Sequence, residues 1–314
     1  MLIVGSIPSA GKIGGVTIHV GRLVDGLKEH NYPFIQFGYK EKAPLHQLIL
    51  FLKNKAAHLH VSNPILRVLY VFLGRLTRTK TILTIHGNLG RFNTFKNYMD
   101  RIAVTFCNVP VLINENSFSK ALKWNRNAKL IPAFIPPHNE PDIPSSIRDT
   151  LLAQKQSGRK IVITNAFARN FNDFGKEIYG IDFLIKYFSD KKEFALLISD
   201  PSGQYSSYYP SLPKNIFIIT EQHSFYRLIQ ESDIVVRDTV TDGDSLSVKE
   251  ALYAQKPMLA SDVVERPCGT VLFHYNDAKS LTEALGRYKD SKTPSEFDDS
   301  CVEKLLQIYS ELEK

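Results

Sequence analysis

The chain has 314 residues, of which 43% are hydrophobic, and a formal net charge of +7. That length suits two domains of ordinary size, each with its own core, and the even spread of aliphatic and aromatic residues excludes a disordered chain. The three cysteines, Cys107, Cys268 and Cys301, are odd in number and form no Cys-x-x-Cys pair, which excludes a disulfide framework and a cysteine zinc site and fits a reducing compartment.

Residues 1–5 are a short apolar run without the basic and long apolar regions of a signal peptide, and 2–4 predict a strand. A loop rich in Gly, Ser and Pro follows. Val16, Val20, Leu23, Val24 and Leu27 then recur at helical spacing over 16–28. Strands are expected at 34–37, 58–61, 81–85, 109–113 and 130–131, and helices at 45–52 and 65–76. Pro136, Pro137, Pro141 and Pro144 mark a stiff linker around 135–146. Beyond it, strands are expected at 160–164, 194–199, 216–219, 234–237 and 257–260. Helices are expected at 180–188, 224–231, 245–253 and 278–289, and an amphipathic one at 296–312. Strands alternating with helices imply parallel sheets covered on both faces, so the fold class is α/β. No apolar run reaches the roughly 18 residues of a membrane span. The expected division is an N-terminal domain over 1–140, a C-terminal domain over 141–300, and a terminal helix over 301–314 packing back on the first domain.

Charge is divided unevenly. Residues 1–140 carry 18 Lys and Arg against 6 Asp and Glu, and the remainder carries 21 against 26. A front half this basic favours an anionic partner, although no nucleic-acid motif accompanies it.

Gly5-Ser-Ile-Pro-Ser-Ala-Gly11-Lys12 imitates a P-loop but has five residues between its glycines and Ile13 where the magnesium-binding hydroxyl belongs, so it is not one. What remains is a glycine-rich strand-to-helix loop, Gly11, Gly14 and Gly15. Its backbone can approach a phosphate or sugar, or simply make a turn with positive φ. His86 stands at the end of a predicted strand beside Gly87, where open α/β sheets bind ligands. The most informative stretch is the strand ending at Arg237, the loop Asp242-Gly243-Asp244 and the helix opening at Ser245-Leu246-Ser247. Amides and dipole at such a helix start suit a diphosphate, Glu250 on the same helix suits a ribose, and Asp242 suits hydroxyls of a transferred group. Capping by Asp244 or Ser245 is expected as well.

Asp242 and Glu250, with seven residues between them, together with Gly243, Leu246, Ala251 and the run 255–262, resemble the family 4 retaining glycosyltransferases of the GT-B fold. Gly14-Gly15-Val16, His19-Val20 and Ile85-His86-Gly87 in the front half are similar to that family too. The resemblance implies two doubly wound Rossmann-like domains facing each other across a cleft, the first binding the acceptor and the second a nucleoside diphosphate sugar. It implies that Glu250 binds the ribose, Asp242 and His86 the sugar, and the Ser245–Ser247 amides with the Gly14–Gly15 loop the diphosphate. It further implies retention by front-face attack, with no metal or other cofactor.

Two positions depart from the pattern. Asp242 stands where glutamate is usual, and Tyr179-Gly180 replaces a Lys-Gly pair, so Arg169, Lys176 or Arg237 must supply positive charge; the two arginines at strand ends are favoured. Asp242-Gly-Asp244 also mimics the DxD metal motif of the GT-A fold, a reading that the two-sheet pattern opposes. With the basic front half, the expected acceptor is a saccharide or lipid-linked saccharide in surface polysaccharide synthesis. The expected location is cytoplasmic, with peripheral contact at the anionic inner face of the membrane through 65–78 or, instead, with that helix packed on the sheet and its arginines at the rim. The alternatives are a non-catalytic nucleotide-sugar-binding protein of the same fold and a nucleic-acid-binding module.

Overall fold

The structure is a computed structural model that describes residues 1–8, 14–39, 41–172, 174–242, 244–291 and 298–313. These residues form two compact units. Unit 1 takes 1–8, 14–135 and 298–313, and unit 2 takes the described residues between 136 and 291.

Unit 1 is built on six parallel strands: β1 (Leu2–Val4), β2 (Ile35–Phe37), β3 (Ala56–Leu59), β4 (Lys80–Ile85), β5 (Val109–Leu112) and β6 (Lys129–Leu130). Their order is β2-β1-β3-β4-β5-β6. The connecting helices are α1 (Gly15–Glu29), α2 (Pro44–Lys53), α3 (Pro64–Thr77), α4 (Thr94–Phe106) and α5 (Glu115–Leu122). Strand periodicity splits the core in two. Leu2 and Val4 join Leu59, Val71 and Leu83 on one face, while Ile3 joins Val20, Leu23 and Ile82 on the other. The second face is completed by the C-terminal helix (Cys301–Glu313), which buries Cys301, Val302, Leu305, Ile308 and Tyr309. Gly26 of α1 makes this possible, because a Cβ there would lie 2.9 Å from Val302.

Unit 2 repeats the plan with β7 (Lys160–Asn165), β8 (Phe194–Ser199), β9 (Ile216–Ile219), β10 (Ile234–Arg237), β11 (Met258–Ser261) and β12 (Val271–Phe273), all parallel, in the order β12-β11-β10-β7-β8-β9. Its helices are α6 (Ser145–Gln156), α7 (Ile181–Phe188), α8 (Gln204–Tyr208), α9 (Phe225–Glu231), α10 (Leu246–Tyr253) and α11 (Ala278–Gly286). The strands are near-continuous apolar runs because both of their faces are covered. Each unit is therefore a doubly wound α/β layer structure. Strand order reverses between β1 and β3 in unit 1 and between β7 and β10 in unit 2, and ligands of such sheets bind outside the carboxyl ends at these reversals.

Three expectations need correction. The strand expected at 58–61 lies at Ala56–Leu59, because two alanines too small to register as a hydrophobic run are fully buried and pair with β4. The helix expected at 278–289 stops at Gly286 and passes into a 3-10 turn. In α3, Arg67 is not at a rim: it is 1% exposed, with Nε donating to the Val61 carbonyl and Nη1 to Asp100 at 2.6 Å. Among the described residues no helix is long and apolar enough to cross a membrane.

Candidate functional site

The reversal point of unit 2 carries a charged network. β10 delivers Arg237 to its carboxyl end beside Asn165 of β7, to whose Oδ1 Arg237 Nη1 donates at 3.3 Å. The chain then turns under Thr239, whose hydroxyl donates to the Ile178 and Thr241 carbonyls and whose N–H is held by Ser261. That turn aims Asp242 back at the strand end. Arg237 grips its carboxylate with two donors, Nε to Oδ2 at 2.6 Å and Nη2 to Oδ1 at 3.2 Å, and Arg266 Nη1 adds a third at 2.8 Å. Burial alone pushes the Asp242 carboxyl up, but the two guanidiniums outweigh it and bring its pKa down to about 2. Two part-buried cations thus face one anion, and Arg266 Nη2 is itself buried without a hydrogen-bond partner.

Next along the chain, Asp244 pairs with Lys249, and Ser245 is the N-cap residue of α10. The expected cap does not form: the Ser245 hydroxyl meets that of Ser247 at 3.2 Å instead, and no side chain caps α10 among the described residues. The amides of Leu246 and Ser247 therefore begin a helix whose positive end is presented to an anion. Glu250, one turn on, is buried at 3% exposure. Gly243 lies outside the described residues.

The other predicted cations separate clearly. Tyr179, standing where the family pattern has lysine, lies under Arg237, with the guanidinium carbon 5.6 Å from the ring centre. Arg169 belongs to a different group: Nη2 pairs with Asp182 of α7 at 2.8 Å and the guanidinium stacks on Tyr208. Lys176 is exposed. Gly180, at φ +57°, allows the backbone to lie against Asp238, where a Cβ would meet the carboxylate. Asp238 itself is buried and takes part in no ion pair among the described residues. Burial raises its pKa to about 7, with the Asn276 amide partly opposing and Glu177 adding to the rise.

In unit 1, Gly14 is the N-cap of α1 with an extended backbone (φ −151°), and its N–H is taken by the Thr17 hydroxyl. Gly15 has no positive φ, and nothing lies within 4 Å of where its Cβ would be. The expected positive-φ turn is therefore absent at both; Gly11 lies outside the described residues. His86 follows β4, and its Nε2 lies 2.9 Å from His60 Nδ1. Burial, followed by the fields of His19, His58, Arg67 and Arg91, holds its pKa well below the usual imidazole range, so the ring is neutral.

Within unit 2 the structure thus brings Arg237, Asp242, Asp244, Ser245, Leu246, Ser247 and Glu250 into one strand-end and helix-start, and leaves Arg169 in another cluster. Arg266 is the residue that sequence reasoning missed. It lies 24 positions beyond its carboxylate, past β11, and only an arginine at the end of the next strand hinted at it.

The two doubly wound sheets define the GT-B fold of glycosyltransferases. HepE of Anabaena, solved with UDP and glucose, is similar over 99% of this chain and 100% of that one, with a TM-score of 0.70 and 14% identity. Sucrose-phosphate synthase of Thermosynechococcus elongatus is similar over 99% and 98%, with a TM-score of 0.66 and 14% identity. A trehalose-6-phosphate protein of E. coli bound with UDP-2-fluoro glucose is similar over 99% and 95%, with a TM-score of 0.59 and 12% identity. No protein-family model and no curated protein matches the sequence.

Proposed function

We propose that unit 2 binds a nucleoside diphosphate sugar and that the protein transfers the glycosyl group to an acceptor hydroxyl with retention of configuration. The observation that carries this reading is the uncapped start of α10 beside two guanidiniums that share one carboxylate. A diphosphate would take the surplus positive charge, the unpartnered Arg266 Nη2 and the helix amides, and Glu250 would take the ribose. Asp242 has a second task in this reading: it holds Arg237 and Arg266 in place before the ligand arrives. Negative charge growing on the leaving diphosphate would be met by donors already oriented, with no metal required. The similar structures solved with UDP or UDP-glucose favour uridine as the base.

The acceptor is proposed to be a lipid-linked saccharide of surface polysaccharide assembly, used at the cytoplasmic face of a membrane. Support comes from two exposed apolar stripes at helical spacing in unit 1, Leu45, Ile49 and Leu52 on α2 and Ile65, Leu69, Phe72 and Leu76 on α3. Exposed Lys53, Arg75 and Arg78 end these helices, and a basic rim around an apolar face suits an anionic leaflet. The double variant Leu69→Glu/Leu76→Glu is expected to lose co-sedimentation with phosphatidylglycerol vesicles while its stability stays within about 0.5 kcal/mol. Equal sedimentation of both proteins would remove the membrane face.

The donor reading is tested by thermal shift against UDP, GDP and ADP and their sugars, with and without EDTA. UDP at about a hundredfold over its Kd should stabilise by roughly 2.7 kcal/mol. The shift should be indifferent to EDTA and lost in Glu250→Ala. No shift with any nucleotide would sink the assignment, and binding without turnover would favour a non-catalytic sugar-nucleotide receptor.

A further inference from the structure

The reversal point of unit 1 holds a cluster of a different kind. His58 lies in β3, His60 just past its end, His86 just past β4, and His19 on α1, and all four rings are packed together. His19, His60 and His86 each offer one ring nitrogen, and the three nitrogens lie within 4.8 Å of one another. We propose that these three residues form a binding site for a divalent transition-metal ion of the Zn²⁺ type.

Hydrogen bonding shows which nitrogens are available. His19 Nδ1 lies 2.8 Å from the Ala133 carbonyl oxygen, which can only accept, so the proton sits on Nδ1 and Nε2 keeps a bare lone pair. That Nε2 is buried and has no hydrogen-bond partner, and neither has His60 Nε2. His19 and His60 are 4% and 2% exposed. A buried lone pair without a donor is costly to leave, and a cation shared by several of them satisfies all at once.

Imidazole chemistry selects the ion. Three neutral nitrogens with no carboxylate suit Zn²⁺, Co²⁺, Ni²⁺ or Cu²⁺, and do not suit Mg²⁺ or Ca²⁺, which take oxygen ligands. The supports that metal-ligating histidines use are present. The Ala133 carbonyl fixes the tautomer of His19. His58 packs 4.0 Å from the His60 ring centre, itself held by Tyr309 Oη at Nδ1 and Thr84 Oγ1 at Nε2. His60 and His86 already stand 2.9 Å apart. Ligation by His86 would exchange that hydrogen bond for a metal bond, and small ring movements would bring His19 to the roughly 2.0–2.1 Å that zinc requires. Three histidines leave the ion a fourth position, open to water or a ligand. The site itself does not rest on the transferase reading.

The test is made on untagged full chain stripped with a chelator, by calorimetry with Zn²⁺ and visible absorption with Co²⁺. One equivalent should bind, in wild type and in Glu250→Ala alike. His19→Ala and His60→Ala should each weaken binding more than about tenfold, since loss of a mere supporting partner already costs about 10–100-fold. The exposed-histidine variants His46→Ala and His274→Ala should not. Should the core variants fail to fold, X-ray absorption of the wild-type Zn²⁺ complex decides, with three imidazole nitrogens at about 2.0–2.1 Å expected. No bound equivalent, equal binding in the wild type and both core variants, or fewer than three imidazoles in the shell would overturn the site.

Discussion

The two units place opposite electrostatics at equivalent points of the same kind of sheet. At the β7–β10 reversal, charge is retained in the interior because it is paired: Arg237 and Arg266 hold Asp242, and the carboxylate stays ionised to about pH 2. At the β1–β3 reversal, charge is suppressed: His60 and His86 are driven well below the usual imidazole range, first by burial and then by one another. The first arrangement is prepared for an anion, which takes up the surplus positive charge. The second is a set of lone pairs prepared for a cation. Location in a doubly wound sheet thus says where a ligand goes, and the pairing of buried side chains says which sign it carries.

The strongest way to break this contrast is Asp242→Asn, which leaves two largely desolvated guanidiniums without their anion. A loss of about 3–5 kcal/mol is expected in denaturant unfolding, because an uncompensated buried charge is what such a change creates. A loss below about 1 kcal/mol would mean that the network is solvated and that its charges do not depend on each other.

Arg266→Gln is the more selective probe. It removes the buried Nη2, and UDP affinity should fall by roughly 1.5–3 kcal/mol, about ten- to a hundredfold in Kd by calorimetry, with Zn²⁺ binding in unit 1 unchanged. Unaltered UDP affinity would separate Arg266 from the ligand and leave it as a purely structural partner of Asp242.

Asp238→Asn sharpens the comparison within unit 2, since Asp238 follows Arg237 yet makes no ion pair among the described residues. Its folded pKa, about 7, lies above its usual 3.8, so the folded protein binds the extra proton between those values. Stability from this group is full below about pH 4 and is lost as pH rises through about 7. The variant should flatten that part of the stability profile, measured by urea unfolding at pH 5, 6, 7 and 8. An identical slope in both proteins would show that Asp238 is ionised throughout.

Most of this architecture was legible in the sequence. Buried parallel strands are short apolar runs, and 194–199, 216–219 and 234–237 coincide with β8, β9 and β10. Composition hid what it could not weigh. The Ala56-Ala57 start of β3 is buried without looking hydrophobic, and α4, α5 and α6 were overlooked because their polar faces dilute the apolar signal. The strand–loop–helix from Arg237 to Glu250 was readable because it is continuous in the chain. Arg266, His58 and His60 were not, because their partners arrive from other elements. His19 was read only as part of a helix motif. The apparent rim arginine Arg67 was misjudged because its partner, Asp100, comes from α4, a helix that the pattern did not reveal.

The C-terminal helix has a consequence for biosynthesis. Because residues 298–313 complete a core begun by β1 and α1, a nascent chain finishes unit 2 while unit 1 still lacks one wall. Ile3, Val24 and Leu27 then wait with an open apolar face until the helix Cys301–Glu313 clears the ribosome. Folding of that sheet is thereby tied to the synthesis of a segment that follows unit 2, and a chain stalled before Cys301 is a natural client for a chaperone.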